Sequence, residues 1–278
     1  MFNIANLLTS MNLLCGVVSI LLCFSGHLEL AVYAIFTGAI FDFADGFIAR
    51  KLNVMSPLGK QLDSLSDLVT FGVAPGFLMF FMILLGVDPS GLIEESTKND
   101  TFYDYYVLQE FFTWINGVFY GIPNKFEASI KWLPFAAFSI PFCALFRLAK
   151  FNIDSRQSTN FIGFPTPLTA IIFCFFPLYF SVHMETWNDE IELIRSSFDC
   201  YTLAALSLII AALMLIPIPL LSLKVQKNNR RENQLKLFFV GISALSIPFL
   251  KVLSIPFILT LYIAISLYQS IKKTKDEI

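Results

Sequence analysis

Charge is what this sequence has least of. Only 14% of its 278 residues are Asp, Glu, Lys or Arg, against about 25% in ordinary soluble domains. A surface that poor in charge cannot be dressed for water, which excludes a soluble globular enzyme. It also excludes a disordered chain, which requires low hydrophobicity, and a binder working from a basic face, so no nucleic-acid partner is expected. Histidine is nearly absent. His27 and His183 are the two copies, far apart and near helix ends, and they read as interfacial residues. Cysteine is also scarce. Cys15, Cys23, Cys143, Cys174 and Cys200 lie in or at the ends of apolar runs with no Cys-x-x-Cys pair, so apolar packing is expected rather than a zinc or disulfide framework.

What the chain does have is hydrophobic bulk: 56% hydrophobic residues, 31 of them Phe, and a mean hydropathy of +0.69. Apolar runs near the ~20 residues that cross a ~30 Å hydrocarbon core recur along it. They cover 4–24, 29–50, 63–86, 132–150, 165–184, 200–223, 235–250 and 252–271. The expected fold is all-α, a polytopic transmembrane helix bundle of about eight spans. Lys251 alone separates the last two runs, so one long kinked or re-entrant element is the alternative there. The first run lacks a basic leader and a small-residue cleavage site and reads as a retained helix.

Charge sign sets the expected topology. With the N-terminus in the cytoplasm, the inner side collects Arg50, Lys51, Lys60, Arg147, Lys150, Arg156, Lys224, Lys227, Arg230, Arg231, Lys236, Lys272, Lys273 and Lys275. The outer side keeps Lys98, Lys125, Lys131, Arg195 and Lys251. That bias predicts a bundle with both termini inside. The stretch 88–131 then falls outside. Its Tyr103, Tyr105, Tyr106, Phe111, Phe112 and Trp114 suggest an interfacial segment acting as a lid or packing element. Asn99-Asp100-Thr101 matches a glycosylation sequon.

The acids are more informative than the bases. The second run ends Phe41-Asp42-Phe43-Ala44-Asp45-Gly46-Phe47-Ile48-Ala49-Arg50, and the third begins Gly59-Lys60-Gln61-Leu62-Asp63-Ser64-Leu65-Ser66-Asp67. Asp42 and Asp45 are three apart and Asp63 and Asp67 four apart, so each pair shares a helix face. A loop of about ten residues brings the helices back antiparallel, and all four carboxylates can converge at the cytoplasmic end of the bundle. Acids are costly in a membrane helix, about 2.5–3.5 kcal/mol each at its centre. Helix capping accounts for Asp63 near a helix start but not for Asp42 and Asp45 in a C-terminal half, where the dipole opposes them. Divalent cations compensate such a cluster, and oxygen ligands select Mg²⁺ or Mn²⁺.

Two metals between paired carboxylates suit phosphoryl transfer, because they stabilise both the attacking and the leaving oxygen. Gly46 and Gly59 lack side chains where a diphosphate and nucleotide could approach the backbone, although glycine there could equally serve helix packing. Arg50 and Lys60 offer cations and Ser56 a hydroxyl beside the same cleft.

The run Asp42-x-x-Asp45-Gly46-x-x-Ala49-Arg50, eight residues, Gly59-x-x-x-Asp63-x-x-x-Asp67 resembles the signature of the CDP-alcohol phosphatidyltransferases. The resemblance implies a six-helix catalytic core over 1–184, with 185–278 as additional C-terminal membrane helices. It further implies two divalent metal ions, a CDP-activated lipid donor such as CDP-diacylglycerol, and a homodimer. Carried over, Asp42, Asp45, Asp63 and Asp67 would hold the metals, and Asp67 would be the general base toward the acceptor hydroxyl. Gly46, Arg50 and Ser56 would contact the CDP moiety, with Gly59 and Lys60 beside them. Asn6 and Thr9, on the first run, would approach the nucleotide, or form no more than a polar helix start.

The acceptor is a separate question. Serine, glycerol 3-phosphate, inositol phosphate and choline are the candidates. The fourth run ends Arg147-Leu148-Ala149-Lys150-Phe151-Asn152, followed by Gly163-Phe164-Pro165-Thr166-Pro167. Arg147 could aim a fork of donors at a carboxylate or phosphate, and Lys150 could as easily be a snorkelling anchor. The segment resembles the Arg-x-x-Arg-Phe-Asn and Gly-x-Pro-x-Pro patterns of bacterial-type phosphatidylserine synthases, with Lys150 replacing the second Arg at the loss of bidentate geometry. That resemblance implies L-serine as acceptor, bound by Arg147, Lys150 and Asn152, in the inner (cytoplasmic) membrane of a bacterium. The phospholipase-D-like serine synthases carry a His-x-Lys signature, which neither His27 nor His183 begins. A cation-coupled transporter is the rival class, since intramembrane acids also mark ion pathways. Its paired broken helices are not seen here.

Overall fold

The computed structural model describes residues 3–86, 100–126, 130–153, 161–183, 199–216, 219–220 and 230–276. It is helical almost throughout. Helix α1 covers Ile4–Phe24, α2 Leu28–Lys51, α3 Pro57–Asp67, α4 Ala74–Leu85, α5 Asp100–Phe119, α6 Ser139–Ile153, α7 Thr166–His183, α8 Cys200–Leu213, α9 Arg230–Leu250 and α10 Ser254–Asp276. A single two-residue antiparallel pairing, Phe161–Ile162 with Pro219–Leu220, is the extended structure among the described residues. Four helical stretches, Ile4–Phe24, Leu28–Lys51, Pro57–Leu85 and Leu133–Ile153, are long and apolar enough to cross a membrane, as is the run Gln234–Ser266. The protein is a multi-pass membrane protein.

Local chemistry explains the boundaries near the acids. Helix α1 starts at Asn3, whose side chain accepts the Asn6 N–H at 2.7 Å. Helix α2 ends where Asn53 takes a left-handed conformation (φ 53°), a geometry that asparagine tolerates better than most residues. Helix α3 starts four residues later with Ser56 as its cap, accepting the Gly59 N–H at 3.0 Å, and Pro57 in the first turn. The connection is therefore 52–56, shorter than the ten-residue loop expected, because Gly59-Lys60-Gln61-Leu62 is polar helix rather than loop. Helix α3 then runs without a break through a π-helical segment, Leu68–Val73, into α4. Pro75 has no N–H to return to the Phe71 carbonyl, and a widened turn ahead of it accommodates the proline ring.

Helix α1 packs along α2 and against α3. Close approach of α1 and α2 to the π-helical segment depends on two glycines. A Cβ on Gly16 would lie 2.8 Å from the Thr70 Cα, and one on Gly38 would lie 2.6 Å from the Thr70 Cγ2. Every residue of Ala74–Leu85 except Phe77 is buried, which makes α4 the central helix of the bundle. The end of the bundle remote from the acids is aromatic. Phe80 lies 5.0 Å from Trp114 and 5.6 Å from Phe138, and Phe24 lies 5.4 Å from Phe81.

One span expectation changes. The run expected over 200–223 ends as helix at Leu213. Its 14 residues reach about 21 Å, and the sequence just beyond carries two prolines, a residue that helix interiors disfavour. The expected runs 235–250 and 252–271 are two helices, broken by a 3-10 turn at Lys251–Leu253 with Lys251 at φ 47°. The stretch expected to be interfacial contains α5, a packing element. Tyr106, Val107, Glu110 and Trp114 are buried, Glu110 pairs with Lys125 at 2.8 Å, and the Trp114 indole donates to the Lys131 carbonyl at 2.8 Å. All five cysteines are free. Asn99, Lys98, Arg156, Arg195, Lys224 and Lys227 lie outside the described residues, as do the side chains of Tyr103, Tyr105 and His183.

Candidate active site and metal centre

Asp42, on α2, and Asp63 and Asp67, on α3, offer carboxylate oxygens that all lie within 4.8 Å of one another. The i, i+4 spacing on α3 and the antiparallel return through 52–56 produce this focus from two helices. Among the described residues no lysine or arginine forms an ion pair with any of these acids. Three half-buried carboxylates at that spacing repel one another, and hard anionic oxygens without a counter-cation have the chemistry that holds a divalent ion. The residues fit the group.

Asp45 is not gathered into the same set. It is 4% exposed, and its Oδ2 accepts the Thr9 hydroxyl at 2.5 Å. Its neighbour one turn earlier, Asp42, faces Asp63, whereas Asp45 faces the adjoining cleft. That cleft has a volume of about 540 Å³. Asn6, Thr9, Asp45, Gly46, Arg50, Ser56, Gly59, Lys60 and Asp63 line it, with Ala5, Ala49, Val54, Met55 and Pro57 as its apolar walls. Every residue expected from sequence to contact the CDP moiety is thus on one surface. A Cβ on Gly46 would sit 3.3 Å from the Arg50 Nη1, and one on Gly59 would sit 3.2 Å from the Asn6 Oδ1 and the Ser56 Oγ. Both glycines keep the cleft floor open.

Of the residues expected around the acceptor, Asn152 is the one that hydrogen bonds tie to α3. Lys60 Nζ donates to the Asn152 main-chain carbonyl at 2.9 Å, and Asn152 Nδ2 donates to the Ser64 Oγ at 2.9 Å. Arg147 is 5% exposed. Its Nε donates to the Phe164 carbonyl at 3.0 Å and its Nη2 to the Gly163 carbonyl at 3.3 Å. Gly163 has φ 85°, and a Cβ there would meet the Ile216 carbonyl oxygen at 3.1 Å. Lys150 is exposed.

Sequence reasoning missed four residues that organise this site. Asn12 donates to Asp67 Oδ1 at 3.1 Å, Ser66 Oγ to the Thr9 carbonyl at 2.9 Å, and Thr70 Oγ1 to the Asn12 carbonyl at 2.9 Å. Ser64 is the fourth. The signal for Asn12 was present: Asn6, Thr9 and Asn12 recur every three residues on a helix with no charged residue.

A multi-pass membrane protein with a carboxylate focus beside a cleft of mixed polar and apolar lining is the class that this fold and site define. A family model described as CDP-alcohol phosphatidyltransferase matches residues 2–90. The chain is 33% identical over 165 residues to a CDP-diacylglycerol–serine O-phosphatidyltransferase of Bacillus subtilis, covering 59% of this chain and 70% of that protein. It is 27% identical over 169 residues to a protein of the same name from Methanocaldococcus jannaschii, covering 61% of this chain and 57% of that protein. An archaetidylserine synthase of Methanothermobacter thermautotrophicus is 29% identical over 168 residues, covering 60% of this chain and 54% of that protein. The matches to the two archaeal relatives thus span little more than half their length. The chain belongs to the CDP-alcohol phosphatidyltransferase family.

Proposed function

We propose that this protein transfers the phosphatidyl group of CDP-diacylglycerol to the hydroxyl of L-serine, giving phosphatidylserine and CMP. The observation that carries the reading is the focus of Asp42, Asp63 and Asp67 beside a cleft lined by Arg50, Lys60, Gly46 and Gly59. The names of the relatives support serine as the acceptor. Residues 1–184 form the catalytic core in this reading and 185–278 its C-terminal membrane helices. The protein is read as a homodimer in the inner membrane of a bacterium, with its cleft open to the cytoplasm. The clustering of lysine and arginine on that side supports the orientation.

The donor's acyl chains stay in lipid while its diphosphate enters the cleft. Arg50 and Lys60 meet the diphosphate, Ser56 offers a hydroxyl, and Gly46 and Gly59 leave the room it needs. Asn6 and Thr9 flank the nucleotide. Asp42, Asp63 and Asp67, with Asp45, would hold two Mg²⁺ or Mn²⁺ ions. Such ions, when bound, stabilise charge on the attacking and leaving oxygens of an in-line displacement. Asp67 takes the proton from the serine hydroxyl. The serine oxygen attacks the phosphorus that bears diacylglycerol, the bond from that phosphorus to the CMP oxygen breaks, and CMP leaves. Arg147 has N–H groups beyond the two spent on Phe164 and Gly163 with which to meet the serine carboxylate, and Lys150 and Asn152 stand on the same helix end.

The test is CMP release from CDP-diacylglycerol by the purified full chain with Mg²⁺ or Mn²⁺, offering serine, glycerol 3-phosphate and inositol phosphate separately. Release stimulated by serine is expected. Release stimulated only by a phosphorylated alcohol would overturn the acceptor and leave the family chemistry standing.

A further inference from the structure

Helix α1 carries no charged residue, yet it touches two of the four acids. Thr9 donates to Asp45 on α2, and Asn12, one turn on, donates to Asp67 on α3. We propose that Asn12 is a positioning residue that orients the Asp67 carboxylate for metal binding, with Thr9 doing the same for Asp45. This rests on the metal reading given under Proposed function.

Three observations carry it. First, Asn12 is completely buried, and its Oδ1 has no partner. An amide retained to join helices is expected to use both of its ends, because an unpaired buried acceptor is costly. Here only the donor end is used, and it is spent on a carboxylate. Second, the position of that donor is fixed from the partner's side. Ser66 and Thr70, on the helical run that carries Asp67, bond back to the main-chain carbonyls of Thr9 and Asn12. Third, the place of the amide depends on α2. A Cβ on Gly38 would stand 3.0 Å from Asn12 Oδ1, so the glycine leaves the amide the room it occupies. A donor on one carboxylate oxygen sets the plane of the group, and such outer partners typically govern metal affinity 10–100-fold.

The experiment measures Mn²⁺ binding to the purified full chain, from the loss of the free-ion EPR signal with no substrate present. Asn12→Leu keeps the branching of the side chain at Cγ and removes the donor. Ser19→Ala is the control, since Ser19 is also buried on α1 but bonds only the Ala31 carbonyl. Asn12→Leu is expected to lose Mn²⁺ affinity about tenfold or more, and Ser19→Ala to keep the affinity of the unaltered protein. If Asn12→Leu does not fold, Asn12→Ser is read in its place; its shorter hydroxyl stops short of Asp67 and must show the same loss. Unchanged affinity in a folded Asn12 variant overturns this inference while the metal reading stands. Failure of the unaltered protein to bind Mn²⁺ overturns both.

Discussion

Lys60 reaches across from α3 to the main-chain carbonyl of Asn152 at the end of α6, with its Nζ 2.9 Å from that oxygen. Because Lys60 also lines the cleft, one side chain joins the surface proposed for the lipid donor to the helix proposed for the acceptor. Asn152→Ala removes the amide bonds to Ser64 and spares this main-chain contact. It is expected to raise the serine KM several-fold and leave the CDP-diacylglycerol KM unchanged, at a stability cost of about 1–2 kcal/mol. Steady-state CMP release and thermal unfolding in detergent check both parts.

Asp67→Asn keeps the shape of the side chain and its place beside Asn12 but removes the proton acceptor. Turnover is expected to fall about 10²–10⁴-fold, while equilibrium binding of CDP-diacylglycerol changes far less. Near-normal turnover in this variant would remove Asp67 from the role of base.

Chelation should abolish activity, since three mutually repelling carboxylates have no described ion-pair partner. Mg²⁺ or Mn²⁺ is expected to restore it and monovalent cations are not. Asp42→Asn should need higher metal concentrations for half-maximal rate, read from a Mn²⁺ titration of CMP release. Metal-independent turnover after exhaustive chelation would contradict the reading.

Arg147 uses Nε and Nη2 on two successive carbonyls, Phe164 and Gly163, a fork that lysine cannot reproduce. Arg147→Lys is therefore expected to fail much as Arg147→Ala does. Each should raise the serine KM at least tenfold, about 1.4 kcal/mol of binding, with the donor KM within about twofold. A lysine variant with full serine affinity would show that charge alone suffices.

Much of this architecture was legible in the sequence because helix periodicity is rigid. Spacings of three and four put Asp42 with Asp45 and Asp63 with Asp67 on shared faces. The same regularity gathered Gly46, Arg50, Gly59 and Lys60 along one cleft. What hydropathy could not show was where helices begin or stop for reasons other than greasiness. Ser56 and Pro57 start α3 in polar sequence, and α8 stops at Leu213, short of the end of its apolar run. Nor could one-dimensional pattern separate Asp45 from the other acids, since that depends on a hydroxyl brought in by another helix. Asn12, Ser64, Ser66 and Thr70 were missed for the same reason. Their meaning lies in partners 55 to 88 positions away along the chain.

The π-helical segment Leu68–Val73 has a consequence for how this site is oriented. A wider turn alters the angular phase of everything beyond it, so the acid-bearing half before it and the buried half after it are offset from the faces an unbroken α-helix would present. Only Ser66 is buried in α3, whereas α4 is enclosed nearly all round. The offset lets Asp63 and Asp67 face the carboxylate focus while the helix beyond them is enclosed by its neighbours. One chain segment serves two environments, and the join between them lies immediately beyond Asp67.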